Sequence, residues 1–233
     1  MNSPANDAAF CQELAQLGNP LFRLSHVFAG EQQELLTAVH AFFASIQNIG
    51  STLQDEEVAR RKIHWWQNEC RPGNLEISSH PVLREFVRTG GRLDCHAQMQ
   101  AVLAGAESRL ENIPPSDEAS FIELCRVTGT PLVDMERCVT GSATAPQAEL
   151  DGLVLRRGVW SLLCESFGPK GQGRTWWLPL SLMARAGLSR EDLNSGHAGV
   201  ESEEVFMNAI KSVNKNSHDI DISNNNQCFA NFF

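Results

Sequence analysis

Apolar residues recur at intervals of three and four along nearly the whole chain, and this spacing limits the folds that it can adopt. In residues 34–46 the apolar stripe contains Leu35, Val39, Phe42, Phe43 and Ile46, which places them on one face of a helix. No convincing run of alternating apolar and polar residues, the pattern of a half-buried strand, occurs anywhere. We therefore predict an all-α bundle of seven to nine helices.

Capping and breaking residues set the ends of several helices. A helix in DEEVARRKIHWWQNEC begins with acidic residues and is ended by RPGN at 71–74. The shorter helix HPVLREFVRTG is closed by Gly90 and Gly91. Ser116, Asp117 and Glu118 indicate the start of a further helix. Pro131 predicts a kink or a break in it because proline has no N–H to donate.

Charge and hydropathy exclude several classes of function. The chain has 233 residues and a formal net charge of −9, which argues against nucleic-acid binding and against a polybasic contact with an anionic membrane. No segment reaches the roughly 18–20 apolar residues of a membrane span. The N-terminus lacks the basic and apolar regions of a secretory signal, so we predict a cytoplasmic protein.

Seven cysteines are spread along the chain without a CxxC motif. An odd number at wide spacing predicts buried reduced thiols rather than a disulfide framework or a zinc site. His40 and His64 lie on or near apolar helical faces, so we interpret them as core or boundary residues. We expect one ring of the Trp65–Trp66 pair in the core and the other partly exposed. Arg156 and Arg157 are expected at the surface.

Three segments, in order, resemble the squalene/phytoene synthase family. NPLFRLSHVFAGEQQELLTAVHAFFASIQNIGST is similar to the first helix pair of the family, which ends in Y-A-F-C-R-x-x-D-D-x-x-D. KIHWWQNEC with HPVLREF resembles its Trp-Trp helix and the start of the next helix. GRTWWLPLSLMARAGLSREDL resembles the signature G-R-x-Y-L-P-x-D. LCRVTGTPLVDMERCVTG fits a further family helix between them. The resemblance implies an isoprenoid synthase-type helical bundle that binds two prenyl diphosphates through Mg²⁺.

The resemblance also implies a division of the chain. Residues 1–18 are an N-terminal lead-in that we expect to be partly disordered, and residues 19–213 form the squalene/phytoene synthase-like helical domain. Residues 214–233, rich in Asn and Ser, form a disordered or atypical tail. Because only EEVFMNAIKSV has a helical pattern after SREDL, we expect a bundle truncated at its C-terminus. The tail is either native or unrelated sequence of the kind that a frameshift or premature stop produces.

The acidic motifs of the family are missing here. Gln47, Asn48 and Ser51 occupy the positions of the aspartates in the first motif. In the second motif Ser161 replaces an asparagine, and Glu165 and Pro169 replace two aspartates. Amides and hydroxyls carry no charge with which to hold a Mg²⁺ cluster.

Basic and acidic residues that face phosphate in the family have also changed. Ala44 replaces an arginine, and in the Gly-x-Glu-x-Asp segment Glu107 is kept while Arg109 replaces the aspartate. We expect a vestigial cavity at these positions. Its predicted lining residues are Phe42, Gln47, Asn48, Ser51, Glu107, Ser161 and Glu165.

These departures favour a noncatalytic protein that binds an isoprenoid or another lipid, or a protein partner, with no cofactor. A peripheral contact with a membrane stays open. The alternative is an active Mg²⁺-dependent prenyl transferase that condenses two prenyl diphosphates, with carboxylates such as Asp55, Glu56, Glu107 and Glu165 converging as metal ligands. A third hypothesis is a truncated remnant that does not fold stably.

Overall fold

Helices form where the apolar spacing predicts them. The computed structural model describes residues 4–18, 30–53, 55–91, 95–111, 113–141, 147–167, 177–195, 205, 207–211 and 213. The helices are α1 (Pro4–Gly18), α2 (Gln33–Thr52), α3 (Glu56–Glu69), α4 (Pro72–Leu75), α5 (Pro81–Arg88), α6 (His96–Ser108), α7 (Glu118–Thr140), α8 (Gln147–Phe167), α9 (Leu180–Arg185) and α10 (Arg190–Ser195). The described residues contain no strand, so the all-α prediction is confirmed.

Short elements explain the difference from the predicted number of helices. Among the described residues, α4, α9 and α10 are only four to six residues long, and the other seven α-helices have eight or more. Two 3₁₀ turns, Gly30–Gln32 and Arg109–Glu111, flank α2 and α6. Residues 205, 207–211 and 213 are also helical, as the pattern EEVFMNAIKSV predicts.

Two helix starts agree with the capping residues in the sequence. The Asp55 carboxylate accepts hydrogen bonds from the backbone N–H groups of Glu57 and Val58 at 2.9 and 3.2 Å, which satisfies two unpaired donors of the first turn of α3. His80 caps α5 because its Nδ1 accepts from the Val82 N–H at 3.3 Å. Burial lowers the pKa of His80 and so favours the neutral ring that this cap requires.

Helix α7 continues through Pro131 as a single helix of 23 residues, so of the predicted kink or break at this proline, the break does not occur. Its two halves pack into different hydrophobic clusters. Phe121 and Cys125 belong to one cluster, and Leu132 and Met135 belong to the other. Packing of both ends outweighs the loss of one backbone hydrogen bond at the proline.

The core has two parts. The larger cluster joins α1 to α6 with the second half of α7, and α2 contacts α1, α3, α5, α6, α7 and α8. The smaller cluster joins the first half of α7 to α8, α9, α10 and the helical residues 205, 209 and 213. The polar positions predicted from the sequence lie on α2 and α6, which belong to the larger cluster, and on α8, which belongs to the smaller one.

Helices α7 and α8 cross at two glycines. A Cβ atom on Gly129 would lie 1.9 Å from the carbonyl oxygen of Val154, and one on Gly158 would lie 1.8 Å from that of Cys125. No side chain fits between backbones this close. The crossing fixes α8, which carries Ser161 and Glu165, against α7.

Helix α1 is an element that the sequence analysis did not anticipate. Cys11 and Ala15 are fully buried in the larger cluster. Arg84 of α5 holds the Asp7 carboxylate with hydrogen bonds of 2.6 and 2.9 Å. The domain limits proposed from the sequence stay predictions, and the tail lies outside the described residues.

The prediction of reduced, buried cysteines is right for three of them and wrong for two. Burial raises the pKa of Cys11, Cys70 and Cys125 to about 12, which makes these thiols unreactive. Cys95 and Cys138 are joined by a disulfide with a Cα–Cα distance of 6.1 Å. The pair connects the start of α6 to the end of α7 across 43 residues of sequence, and no spacing motif identifies it.

The disulfide gives a prediction on stability. Because it closes a long loop in the unfolded chain, Cys138→Ser should lower the free energy of unfolding by about 3 kcal/mol. Urea denaturation of the oxidised protein measures this change. Dithiothreitol should destabilise the wild type to the level of the variant and leave the variant unchanged. A variant as stable as the oxidised wild type would contradict the prediction.

The exposure predicted for the tryptophan pair is found, and the exposure predicted for Arg157 is not. Trp66 is buried and Trp65 is 42% exposed, as expected for that pair. Arg157 corrects the expectation of a surface position. Its Nη2 donates to the Glu136 carboxylate at 2.6 Å and lies 3.1 Å from Nδ1 of the buried His40.

Of the described helices, none combines the length and the apolar character needed to span a bilayer.

Candidate functional site

The first and second motif positions meet across α2 and α8. Gln47 Nε2 donates a hydrogen bond to Ser161 Oγ at 2.6 Å, and Ser161 is buried. Both residues replace polar groups that the family resemblance assigns to the substrate site. The structure brings them together as a direct pair of uncharged groups.

A second pair closes the site beside the first. Arg109 Nη2 and Nε donate to the two carboxylate oxygens of Glu165 at 2.7 and 3.2 Å. The side chains are 11% and 7% exposed, and Trp177 Nε1 also donates to Glu165 Oε2 at 2.9 Å. Both oxygens of Glu165 therefore accept hydrogen bonds within the protein, in the two-pronged geometry that strengthens an arginine–carboxylate pair.

Glu107 belongs to a different polar cluster, on the side of α6 that faces α3. Its carboxylate accepts from Gln67 Nε2 at 3.0 Å, lies 3.0 Å from His64 Nε2 and forms a 3.4 Å ion pair with Arg60. Burial alone would raise the pKa of Glu107, but the hydrogen bonds from His64 and Gln67 and the neighbouring positive charges hold it below its usual value. Glu107 is thus an ionised group that His64, Gln67 and Arg60 stabilise.

Two further predicted cavity residues, Phe42 and Asn48, do not line the space between these pairs. Phe42 is buried in the core, where its ring packs edge-on against Trp66 with centroids 5.6 Å apart. Asn48 is exposed, and the side chain of Ser51 lies outside the described part of the chain. Gln47, Ser161 and Glu165 are the predicted site residues that line the space between the helices.

Two small cavities lie on either side of these polar pairs. One is lined by Phe43, Thr128, Val127 and Ser161 among others, and the second by Gly50, Leu110, Glu165 and Trp177 among others; Ile46, Gln47 and Arg109 line both. Each encloses about 300 Å³ including the part open to solvent. The interior of each has room for about one water molecule.

The sequence analysis missed two residues that define this region. Arg109 was interpreted only as a lost aspartate, although its charge provides the partner of Glu165. Thr128 was not singled out. Its side chain is 5% exposed, and its Oγ1 has no hydrogen-bond partner. The TGTP sequence at 128–131, which places a polar residue beside a glycine and a proline within a helix, was the available signal.

The donor set does not fit a Mg²⁺ cluster. Mg²⁺ prefers charged oxygens in octahedral geometry, but Gln47 and Ser161 are neutral and donate or accept within their own pair. The carboxylate of Glu165 is committed to Arg109 and Trp177. The described residues include no group of three or more His, Cys, Asp or Glu side chains that could hold a metal ion.

The architecture is that of an isoprenoid synthase-type helical bundle, as the resemblance implies. The family model for squalene/phytoene synthase matches residues 18–219. The chain therefore belongs to the squalene/phytoene synthase family, and the resemblance drawn from the motifs is confirmed. No curated protein matches the chain.

Proposed function

We propose that this member of the squalene/phytoene synthase family is noncatalytic and acts by binding a lipid or a protein partner. The Arg109–Glu165 pair carries the proposal. Among the described residues that replace metal ligands of the family, Glu165 is the one with a carboxylate. The largely buried guanidinium of Arg109 neutralises its charge. Substitution of the acidic motifs and internal pairing of their replacements support the same conclusion.

The chemistry of the family explains why this pairing matters. Ionisation of a prenyl diphosphate leaves a carbocation and a highly charged leaving group, and metal ions stabilise the developing charge on the diphosphate. When bound, Mg²⁺ supplies that charge in the family. The chain's own residues at the site provide an amide, a hydroxyl and a neutralised carboxylate, which neither hold the metal nor replace its charge.

The alternative of an active transferase requires other carboxylates to converge. Asp55 caps α3 and Glu56 forms an exposed pair with Arg60 at 2.7 Å. Glu107 contacts the same arginine from α6. Glu165 instead pairs with Arg109. These four carboxylates are therefore committed to a helix cap and to two separate arginines, which argues against a shared metal site.

The proposal predicts no magnesium-dependent chemistry. Purified protein with Mg²⁺ and farnesyl or geranylgeranyl diphosphate should release no diphosphate above the rate without protein. Isothermal titration with Mg²⁺ should give no saturable heat at millimolar concentration. Because Glu165 is the remaining candidate ligand, Glu165→Gln is the matched variant, used after circular dichroism shows that it is folded. Diphosphate release by the wild type that this substitution abolishes would establish the transferase instead.

A further inference from the structure

The cavity between α2, α6, α7 and α8 combines apolar walls with uncharged hydrogen-bonding groups. Its apolar lining includes Phe43, Ile46, Val102 and Leu132. Its polar lining is Gln47, Thr128 and Ser161, together with Arg109, whose charge the Glu165 carboxylate balances. A site with these properties disfavours an anionic group. An anion would lose its hydration on entering, and the Arg109 guanidinium that could compensate is already paired with Glu165.

Thr128 provides a hydroxyl in this cavity that is available to bind a ligand. It is 5% exposed, it lines the cavity, and its hydroxyl has no hydrogen-bond partner. A buried hydroxyl without a partner is unfavourable, so a molecule that pairs with it gains affinity from relieving this cost. A hydroxyl group on the ligand suits this position because it can donate or accept.

The mouth of the cavity indicates the shape of the rest of the ligand. Val127, whose side chain is 49% exposed, and Pro131 line the cavity beside Thr128. Proline at 131 has no N–H to bond the carbonyl of Val127, four residues earlier, so the cavity lies at an interruption of the backbone ladder of α7. Interior room for about one water molecule admits a hydroxyl head, with a slender apolar chain extending along the open part.

From this geometry we propose that the cavity is a binding site for the hydroxyl end of an apolar alcohol. The hydroxyl replaces the water that would otherwise bridge to Thr128, and the first carbons of the chain cover Val127 and the neighbouring walls. This inference rests on the proposed noncatalytic function and adds the class of ligand: a neutral lipid alcohol rather than a phosphorylated one.

The test uses 1-hexanol, a soluble straight-chain alcohol, and follows backbone amide signals by NMR. Titration of the full chain should shift the signals of residues around the cavity, such as Phe43, Thr128 and Leu132, with a dissociation constant on the order of 1 mM for so small a ligand. Hexyl phosphate should bind at least about tenfold more weakly, because Glu165 already occupies the Arg109 guanidinium.

Variants of Thr128 distinguish a specific hydrogen bond from general apolar binding. Thr128→Val keeps the shape and removes the hydroxyl, so the affinity for 1-hexanol should fall about fivefold, the effect of one hydrogen bond. Thr128→Ser should keep the affinity. Thr130→Val is the matched control on the exposed side of the same helix, where Thr130 Oγ1 donates to the Arg126 carbonyl, and it should bind as the wild type does.

The outcomes separate this inference from the proposed function. Absent shifts around the cavity, equal affinity in Thr128→Val, or tighter binding of hexyl phosphate would each overturn the alcohol site. None of these results would restore magnesium-dependent diphosphate release, which tests the noncatalytic function by itself. Thr128→Val should be at least as stable as the wild type, because it removes a buried hydroxyl without a partner.

Discussion

Replacing Gly158 with valine is expected to lower the free energy of unfolding by about 4 kcal/mol or more, at the upper end of the cost of point substitutions. A Cβ atom at this position would lie 1.8 Å from the Cys125 carbonyl oxygen and 2.5 Å from its carbonyl carbon. Both atoms belong to the backbone of α7, so no change of rotamer relieves the overlap. The helices must separate, and the apolar contacts on both sides of the crossing are lost. Urea denaturation measures the change.

A matched glycine substitution tests whether the crossing is the cause. Gly50 also lies within a helix, but a Cβ atom there would meet no atom within 4 Å. Gly50→Ala should therefore raise the free energy of unfolding by about 0.5–1 kcal/mol, because alanine has the higher helix propensity. Gly129→Ala should destabilise as Gly158→Val does. A Gly158→Val protein with wild-type stability would mean that α7 and α8 do not approach this closely.

The crossing also links the fold to the candidate site. Ser161 follows Gly158 by about one turn of α8, and Glu165 follows it by about two. When α8 shifts away from α7, the Gln47–Ser161 and Arg109–Glu165 pairs must change their geometry. Loss of stability in Gly158→Val should consequently be accompanied by a change in the environment of Trp177, which donates to Glu165.

The sequence predicts the helices with strong apolar stripes and misses those without one. The five residues of the apolar stripe in 34–46 are all buried in α2, because large side chains at helical spacing give a clear signal. Helix α1 escaped notice because it buries small residues, Cys11 and Ala15, which contribute little to such a pattern. Pro131 does not break α7, because packing at both ends of a long helix outweighs the local propensity of one residue.

The residue types at the site were predictable, but their pairing was not. Family motifs identified Gln47, Ser161 and Glu165 as replacements, and the absence of charge at two of them follows from the sequence. The hydrogen bond from Gln47 to Ser161 joins residues 114 positions apart, and the pair of Arg109 with Glu165 spans 56. Contacts at such separations depend on how helices pack, which a single sequence does not specify.

Removing either partner of the Arg109–Glu165 pair is expected to destabilise the protein strongly. Arg109 and Trp177 both donate hydrogen bonds to the buried Glu165 carboxylate, and Arg109→Ala leaves only the Trp177 N–H. Glu165→Ala leaves the Arg109 guanidinium without its counter-charge. A buried ion without its partner costs about 3–5 kcal/mol, so either variant should lose that much free energy of unfolding. Chemical denaturation at neutral pH measures the loss. Arg61→Ala, which breaks an exposed 3.1 Å pair with Glu57, is the control and should cost less than about 1 kcal/mol.

The double variant Arg109→Met, Glu165→Leu separates a need for the charges from a need to keep them paired. Replacing a buried ion pair with apolar groups of similar volume is often neutral or stabilising, so this variant should recover most of the stability that either single variant loses. The Trp177 N–H then loses its acceptor, so the recovered free energy of unfolding should fall short of the wild-type value by about 1–3 kcal/mol. If the pair serves only to neutralise what remains of the acidic motif, the double variant keeps the fold and any ligand binding. Single variants as stable as the wild type would show that Glu165 is free of Arg109, and its carboxylate would again be a candidate metal ligand.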